Sequence, residues 1–315
     1  MDNLKALPTV TAYVALGIIF LLIGKWVYDL LTKYKLDDEL TKSDNPAVGT
    51  ALFGYFVALI IIIAGVLPTD RNVKLLDSEG LLNVAIYSFI GIILLNISRV
   101  ITDKLILYKF KINKELIDDR NVGTGFVLMG SYIASGLVIV GALSGDIHIL
   151  KDIGGTAQAN KILPFGDLFS SLGGYSSNLI SGVLLSLIFF ILGQITFIIY
   201  SFIYGWVLPF NSQEEIEKDN VAAGISFGGG LVALGLILFK GIHGRFEGWE
   251  SSLVYYGWLV IYAIIVFPLV RIFVDKIMLS NSTLSKEIVE DKNINAALLE
   301  IICILMVSAV VIFAY

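Results

Sequence analysis

Glu300 is the residue best placed to do chemistry in this 315-residue chain. It lies in an otherwise apolar run, seven residues after Asn293 and so about 10 Å along a helix rising 1.5 Å per residue. A charged acid at such a depth in hydrocarbon costs roughly 2.5 kcal/mol or more, so the carboxylate must be protonated, ion-paired or hydrated. Arg271 and Lys292 are the cations near enough in sequence to pair with it, and a proton- or cation-binding site is the alternative. Three basic residues each precede an Asp by four positions: Lys25/Asp29, Arg99/Asp103 and Arg271/Asp275. That spacing puts both side chains on one helix face, which suits a snorkelling ion pair or a charged lining along a path. Four Asn residues, Asn45, Asn121, Asn220 and Asn293, each open an apolar run, the position of a helix N-cap; contact with a ligand is the other reading.

Little else is reactive. His243 and Glu247 stand four apart, with Asp146 and His148 in another loop, but two His without a third nearby ligand make a weak metal site, and none is expected. Gly228, Gly229 and Gly230 lie inside an apolar run with no following Lys-Ser/Thr, so they read as helix packing rather than a phosphate loop. The one cysteine, Cys303, has no disulfide partner. Asn281-Ser282-Thr283 matches a glycosylation sequon by chance. There is no Ser/His/Asp set, zinc signature or dinucleotide fingerprint, so no enzymatic activity and no cofactor are expected.

The elements that must position these residues are set by composition. The chain is 57% hydrophobic and 16% charged, where a soluble domain carries about a quarter of its residues charged. A helix crosses a bilayer in roughly 20 apolar residues. Eight stretches qualify: Leu7–Gly24, Ala47–Leu67, Gly80–Ser98, Val122–Leu143, Leu179–Tyr204, Val221–Ile242, Leu253–Val270 and Ile294–Tyr315. The first continues its helical pattern through Lys25–Asp29 with no small-residue cleavage site, so it reads as a retained span rather than a signal peptide. The fold class is an all-α polytopic membrane protein.

Aligned on the four Asn residues, the chain falls into four units. An acidic residue precedes each Asn within two positions: Asp44, Asp119, Asp219 and Asp291. Four positions after it come Gly49, Gly125, Gly224 and Ala297; nine after, Gly54, Gly130, Gly229 and Ile302; thirteen after, Ala58, Ala134, Ala233 and Met306. The second, ninth and thirteenth positions share one helix side and form a small-residue stripe that lets helices approach closely. The fourth unit departs from it, and carries Glu300 where the others have Leu52, Leu128 and Phe227. Each unit reads as a long helix with a charged tail, a turn and an Asn-capped return helix. Two spans per unit make these tandem parallel repeats. Residues 1–143 form the first half and 179–315 the second, with a Gly-rich external connector at 144–178 that is a linker or a re-entrant element.

The acidic residue, Asn, small residue and Gly leading into an apolar helix, preceded by a span with a charged tail, resemble the membrane family called domain of unknown function 350. The resemblance covers all four units and leaves out the Gly-rich connector. It implies a bacterial or archaeal inner-membrane protein and no particular reaction.

Of the 22 Lys and Arg residues, fifteen lie in the segments joining the two helices of each unit. The positive-inside bias puts those segments in the cytoplasm and both termini outside. Lys33-Tyr34-Lys35 and Tyr108-Lys109-Phe110-Lys111 mix charge with aromatic rings in a way that suits anchoring at an anionic leaflet. The net charge of −5 excludes nucleic acid as a partner. Membrane lipids and a second copy of the chain are the candidate partners. Glu300, Lys240, Gln194 and Asn96, all costly in lipid, favour a channel or transporter for a proton, cation or small solute. The alternative is a structural or membrane-stress scaffold that packs tightly and recruits lipid or cytoplasmic partners.

Overall fold

The structure, a computed structural model, describes residues 7–67, 78–152, 174–243 and 249–314. Four units follow one another in the same order: a long helix, a six-residue helix and a return helix. They are α1 (Leu7–Leu31), α2 (Leu36–Thr41) and α3 (Pro46–Gly65); α4 (Ser78–Ile101), α5 (Ile112–Ile117) and α6 (Val122–Asp152); α7 (Gly174–Val207), α8 (Ser212–Glu217) and α9 (Val221–Ile242); and α10 (Trp249–Phe273), α11 (Leu284–Val289) and α12 (Ile294–Ala314). Eight of these helices are long and apolar enough to cross a membrane. Both ends of the connector expected at 144–178 are helical, within α6 and α7; residues 153–173 lie outside the described residues.

The turn into each return helix is built the same way four times. The residue before each Asn, namely Asp44, Arg120, Asp219 or Lys292, has a left-handed backbone with φ of 45°, 50°, 53° and 47°. The Asn that follows, extended at Asn45 and Asn220, caps the first turn with its side chain in all four units. The last turns of α4 and α10 widen into π-turns, Thr102–Ile106 and Val274–Met278, closed by Leu107 N–H on the Thr102 carbonyl and Leu279 N–H on that of Val274.

The return helices stand in a row, α3–α6–α9–α12, with α6 and α9 the most buried spans and the long helices packed outside them. Their backbones touch. A β-carbon on Gly125 would lie 2.8 Å from the Ala47 carbonyl oxygen, one on Gly123 2.9 Å from that of Asn220, and one on Gly235 2.7 Å from Ala134 Cα. Gly54 abuts the Met129 backbone, Gly130 the Gly228 backbone and Gly224 that of Gly123. The three consecutive glycines of α9 face three neighbours: Gly228 meets the Phe126 carbonyl of α6, Gly229 the Ile301 side chain of α12, and Gly230 the Tyr200 hydroxyl of α7.

The repeat positions thereby acquire directions. The second, ninth and thirteenth positions after each Asn face the following unit, whereas the fourth faces the preceding one. The departures of unit four follow from its place at the end of the row. Ile302 and Met306 are 60% and 57% exposed because no further return helix packs on that side among the described residues. At the other end, a β-carbon on Gly49 would meet nothing within 4 Å. Bulky side chains, Phe53 and Ile60 at one end of the row and Ile302 and Met306 at the other, stand exposed there.

Candidate functional site

The capping Asn side chains do more than cap. Asn121 Oδ1 accepts from Thr124 N–H at 2.7 Å, while its amide donates to Glu115 at 2.8 Å and to the Ile216 carbonyl of the next unit at 2.7 Å. Asn45 donates to Glu39 and to the Leu116 carbonyl at 2.8 Å; Asn220 donates to Glu215 and to the Ile288 carbonyl at 2.7 Å. Each Asn thus ties its own six-residue helix to that of the next unit. Asn293 keeps the bond to Glu287 at 2.7 Å but has no following unit, and it is partly exposed where the other three are buried. The four Glu partners escaped the sequence reading, which attended to the acids directly before each Asn. Their signal is an acid six, six, five and six positions upstream.

The titration of these carboxyls depends on what reaches them. Burial raises the Glu115 carboxyl above its ordinary range, and the Asn121 bond offsets only part of that. Burial also pushes Glu215 upward, but hydrogen bonds from Asn220 and Lys218 outweigh it and hold the carboxyl below the ordinary range. At Glu287 the nearby Ser282 hydroxyl and the bond from Asn293 lower it.

The three basic/Asp pairs do not form ion pairs. The carboxylates of Asp29, Asp103 and Asp275 instead accept the backbone N–H of Leu36 at 2.7 Å, Ile112 at 3.1 Å and Leu284 at 2.6 Å, fixing the first residue of each six-residue helix. A carboxylate engaged with a nearby backbone donor has no need of the cation one turn away. Lys25 turns to Asp37 at 2.6 Å, and Lys104 and Lys276 take the free oxygens of Asp103 and Asp275.

Arg99 and Arg271 occupy corresponding places, 172 residues apart, in clusters of different chemistry. Arg99 sits over the Tyr28 ring, 4.8 Å from its centroid, and donates to Asn113 at 3.1 Å. Tyr28, Tyr55 and Tyr132 pack edge to face behind it, with Asn96 donating to the Tyr55 hydroxyl at 3.1 Å. Aromatic faces stabilise that cation. Leu128 stands where the second half has Glu300. There, Arg271 donates to Glu300 Oε1, and Ser226 Oγ donates to Oε2 at 2.7 Å. Glu300 is 1% exposed, so both of its oxygens are engaged inside the protein. Of its two sequence-near cations it is Arg271 that pairs; Lys292 is exposed in the turn before Asn293.

Of the other buried polar groups, Gln194 Nε2 donates to Ser135 at 3.2 Å and Asn96 Nδ2 to the Ile92 carbonyl at 2.8 Å, while the amide oxygens of both have no hydrogen-bond partner among the described residues. A cavity of about 30 Å³ lies beside Arg271, between α7, α10 and α12, walled by Tyr200, Tyr204 and Phe267. Among the described residues no group of three or more His, Cys, Asp or Glu could hold a metal; Glu247 lies outside the described residues.

These features define an eight-span helical membrane protein in which tandem two-helix units are closed by glycine contacts and tied by Asn bridges. The family model described as Domain of Unknown Function (DUF350) matches residues 2–143 and 178–314, and the chain belongs to that family. It is similar to the UPF0719 transmembrane protein of Aquifex aeolicus (strain VF5), 23% identical over 290 residues, which cover 90% of this chain and 92% of that protein. No solved structure matches.

Proposed function

We propose that this protein is a non-conducting structural component of a bacterial or archaeal inner membrane, with its six-residue helices in the cytoplasm and both termini outside. The observation that carries this reading is the glycine seam: α3, α6 and α9 meet backbone to backbone and α12 seats its Ile301 side chain on Gly229, which leaves no lumen between these helices among the described residues. The polar clusters support it, because Glu300 has both oxygens occupied by Arg271 and Ser226. The orientation rests on the Lys and Arg bias of the connecting segments. A second reading, proton- or cation-coupled transport, is favoured by the cavity beside Arg271, which has room for water next to a buried ion pair.

Proteoliposomes loaded with a pH-sensitive dye separate the two. A structural component gives proton and potassium leak equal to that of empty vesicles, in wild type and in Glu300→Gln alike, with Glu300→Gln less stable to heat. Flux above the empty-vesicle level that Glu300→Gln abolishes would establish transport instead.

A further inference from the structure

A cleft of about 440 Å³ opens between α7, the end of α4 and α8, where the two halves of the chain meet. Its volume falls in the range of small-molecule sites. One wall is the last turn of a span: Phe202, Gly205 and Trp206, with Trp206 87% exposed and Phe202 54% exposed. The Tyr108 ring lies against Phe202 with centroids 5.6 Å apart. The other wall is polar and beyond the span, formed by Asn211, Gln213 and Lys109. Lys109 makes one long contact with Glu214, 3.4 Å, whose same oxygen accepts the Asn211 amide at 2.6 Å, and the Lys109 side chain keeps water access at 34% exposure, so its charge is not consumed.

We propose that this cleft binds one phospholipid, its phosphate on Lys109 and its acyl chains along Phe202 and Trp206. The cleft passes from apolar to charged across the end of a helix, which matches an amphiphile lying along the membrane normal and does not match a soluble ligand. Lys109 on the cleft wall offers a cation for the phosphate, and Glu214, exposed just outside the lining, an anion for the amine of a zwitterionic headgroup such as phosphatidylethanolamine. Gly205 supplies a second, independent sign. Glycine weakens a helix interior, and at the return-helix crossings it is explained by a neighbouring backbone; at Gly205 a β-carbon would meet nothing within 4 Å, and the residue lines the cleft. An open side there leaves the space that an acyl chain or glycerol fills. The proposal does not depend on whether the protein conducts ions.

Native mass spectrometry of the full-length detergent-purified protein tests it, with phosphatidylethanolamine, the matching diacylglycerol and inorganic phosphate added separately. One phosphatidylethanolamine per chain should survive activation that strips all others, and diacylglycerol and phosphate alone should not be retained. Lys109→Ala should lower retention about fivefold, the worth of one lysine–headgroup contact. Gly205→Leu, which fills the cleft and leaves the charge, should lower it as well. Both positions are exposed, so without lipid the thermal midpoint of Lys109→Ala should match wild type and that of Gly205→Leu should match or exceed it. Equal lipid retention in either variant would overturn the site, as would equal retention of diacylglycerol. Capture of inorganic phosphate without lipid would overturn the lipid as its occupant.

Discussion

Removing Glu300 alone should damage the fold more than removing Glu300 and Arg271 together. Arg271 is 12% exposed at its side chain and Glu300 1%, and their contact joins α10 to α12. Glu300→Leu leaves a guanidinium facing the Tyr200/Tyr204 wall with no anion, while one of its nitrogens, Nη2, already has no hydrogen-bond partner. Breaking one side of such a pair costs roughly 3–5 kcal/mol, whereas replacing both members by apolar residues is often neutral. Leucine is a physically sensible replacement because Leu128 fills the corresponding place in the first half. At about 2 °C per kcal/mol for a chain of this size, the single variant should melt roughly 6–10 °C lower and Arg271→Leu/Glu300→Leu within a few degrees of wild type. The measurement is the loss of monodisperse protein on heating in mild detergent, followed by size-exclusion chromatography. A double variant that falls as far as the two singles added together would refute the reasoning, since independent sites add and a coupled pair does not.

Two glycines at the same repeat position should respond oppositely to alanine. Gly224→Ala forces a methyl onto the Gly123 backbone and should cost about 1–3 kcal/mol, whereas Gly49→Ala meets nothing and should be neutral or stabilising by up to about 1 kcal/mol; equal thermal shifts would contradict the assigned faces. Asn121→Ala loses a cap and a bond to the next unit, at about 2–3 kcal/mol. Asn293→Ala loses the cap and a partly exposed contact, at about 1 kcal/mol, and the order is read from chemical denaturation in micelles. Glu115 and Glu215 should show opposite pH signatures. The raised Glu115 carboxyl stabilises the fold at low pH and loses that contribution as pH rises through its folded value, so Glu115→Gln should be neutral or stabilising at pH 7. The lowered Glu215 carboxyl stabilises above its ordinary value and loses this as pH falls, so Glu215→Gln should be destabilising at pH 7, with the difference vanishing in acid.

Much of the architecture is legible without coordinates because it is local. Lipid requires each span to satisfy its own backbone, so hydropathy alone marks eight helices. The Asn residues report helix starts, since a cap bonds to N–H groups only two or three residues on. The Gly and Ala positions report close packing because nothing larger fits between touching backbones. Even the eccentric residues of unit four, Ile302 and Met306, are visible as departures.

What sequence spacing left open was the choice among partners, which inter-helix register decides. Arg271 and Asp275 are one turn apart, yet the Asp is claimed by the Leu284 N–H and the Arg reaches Glu300 on another helix. Arg99 has the same sequence setting but sits over the Tyr28 ring of α1, because α6 carries Leu128, not a carboxylate, at the repeat position where α12 has Glu300. The capping Asn amides have donors left over after the local bonds are made. Only the stacking of units brings the Leu116, Ile216 and Ile288 carbonyls within reach of them, between 68 and 95 residues away. Spacing along one helix fixes which residues share a face; the register between helices fixes what that face meets.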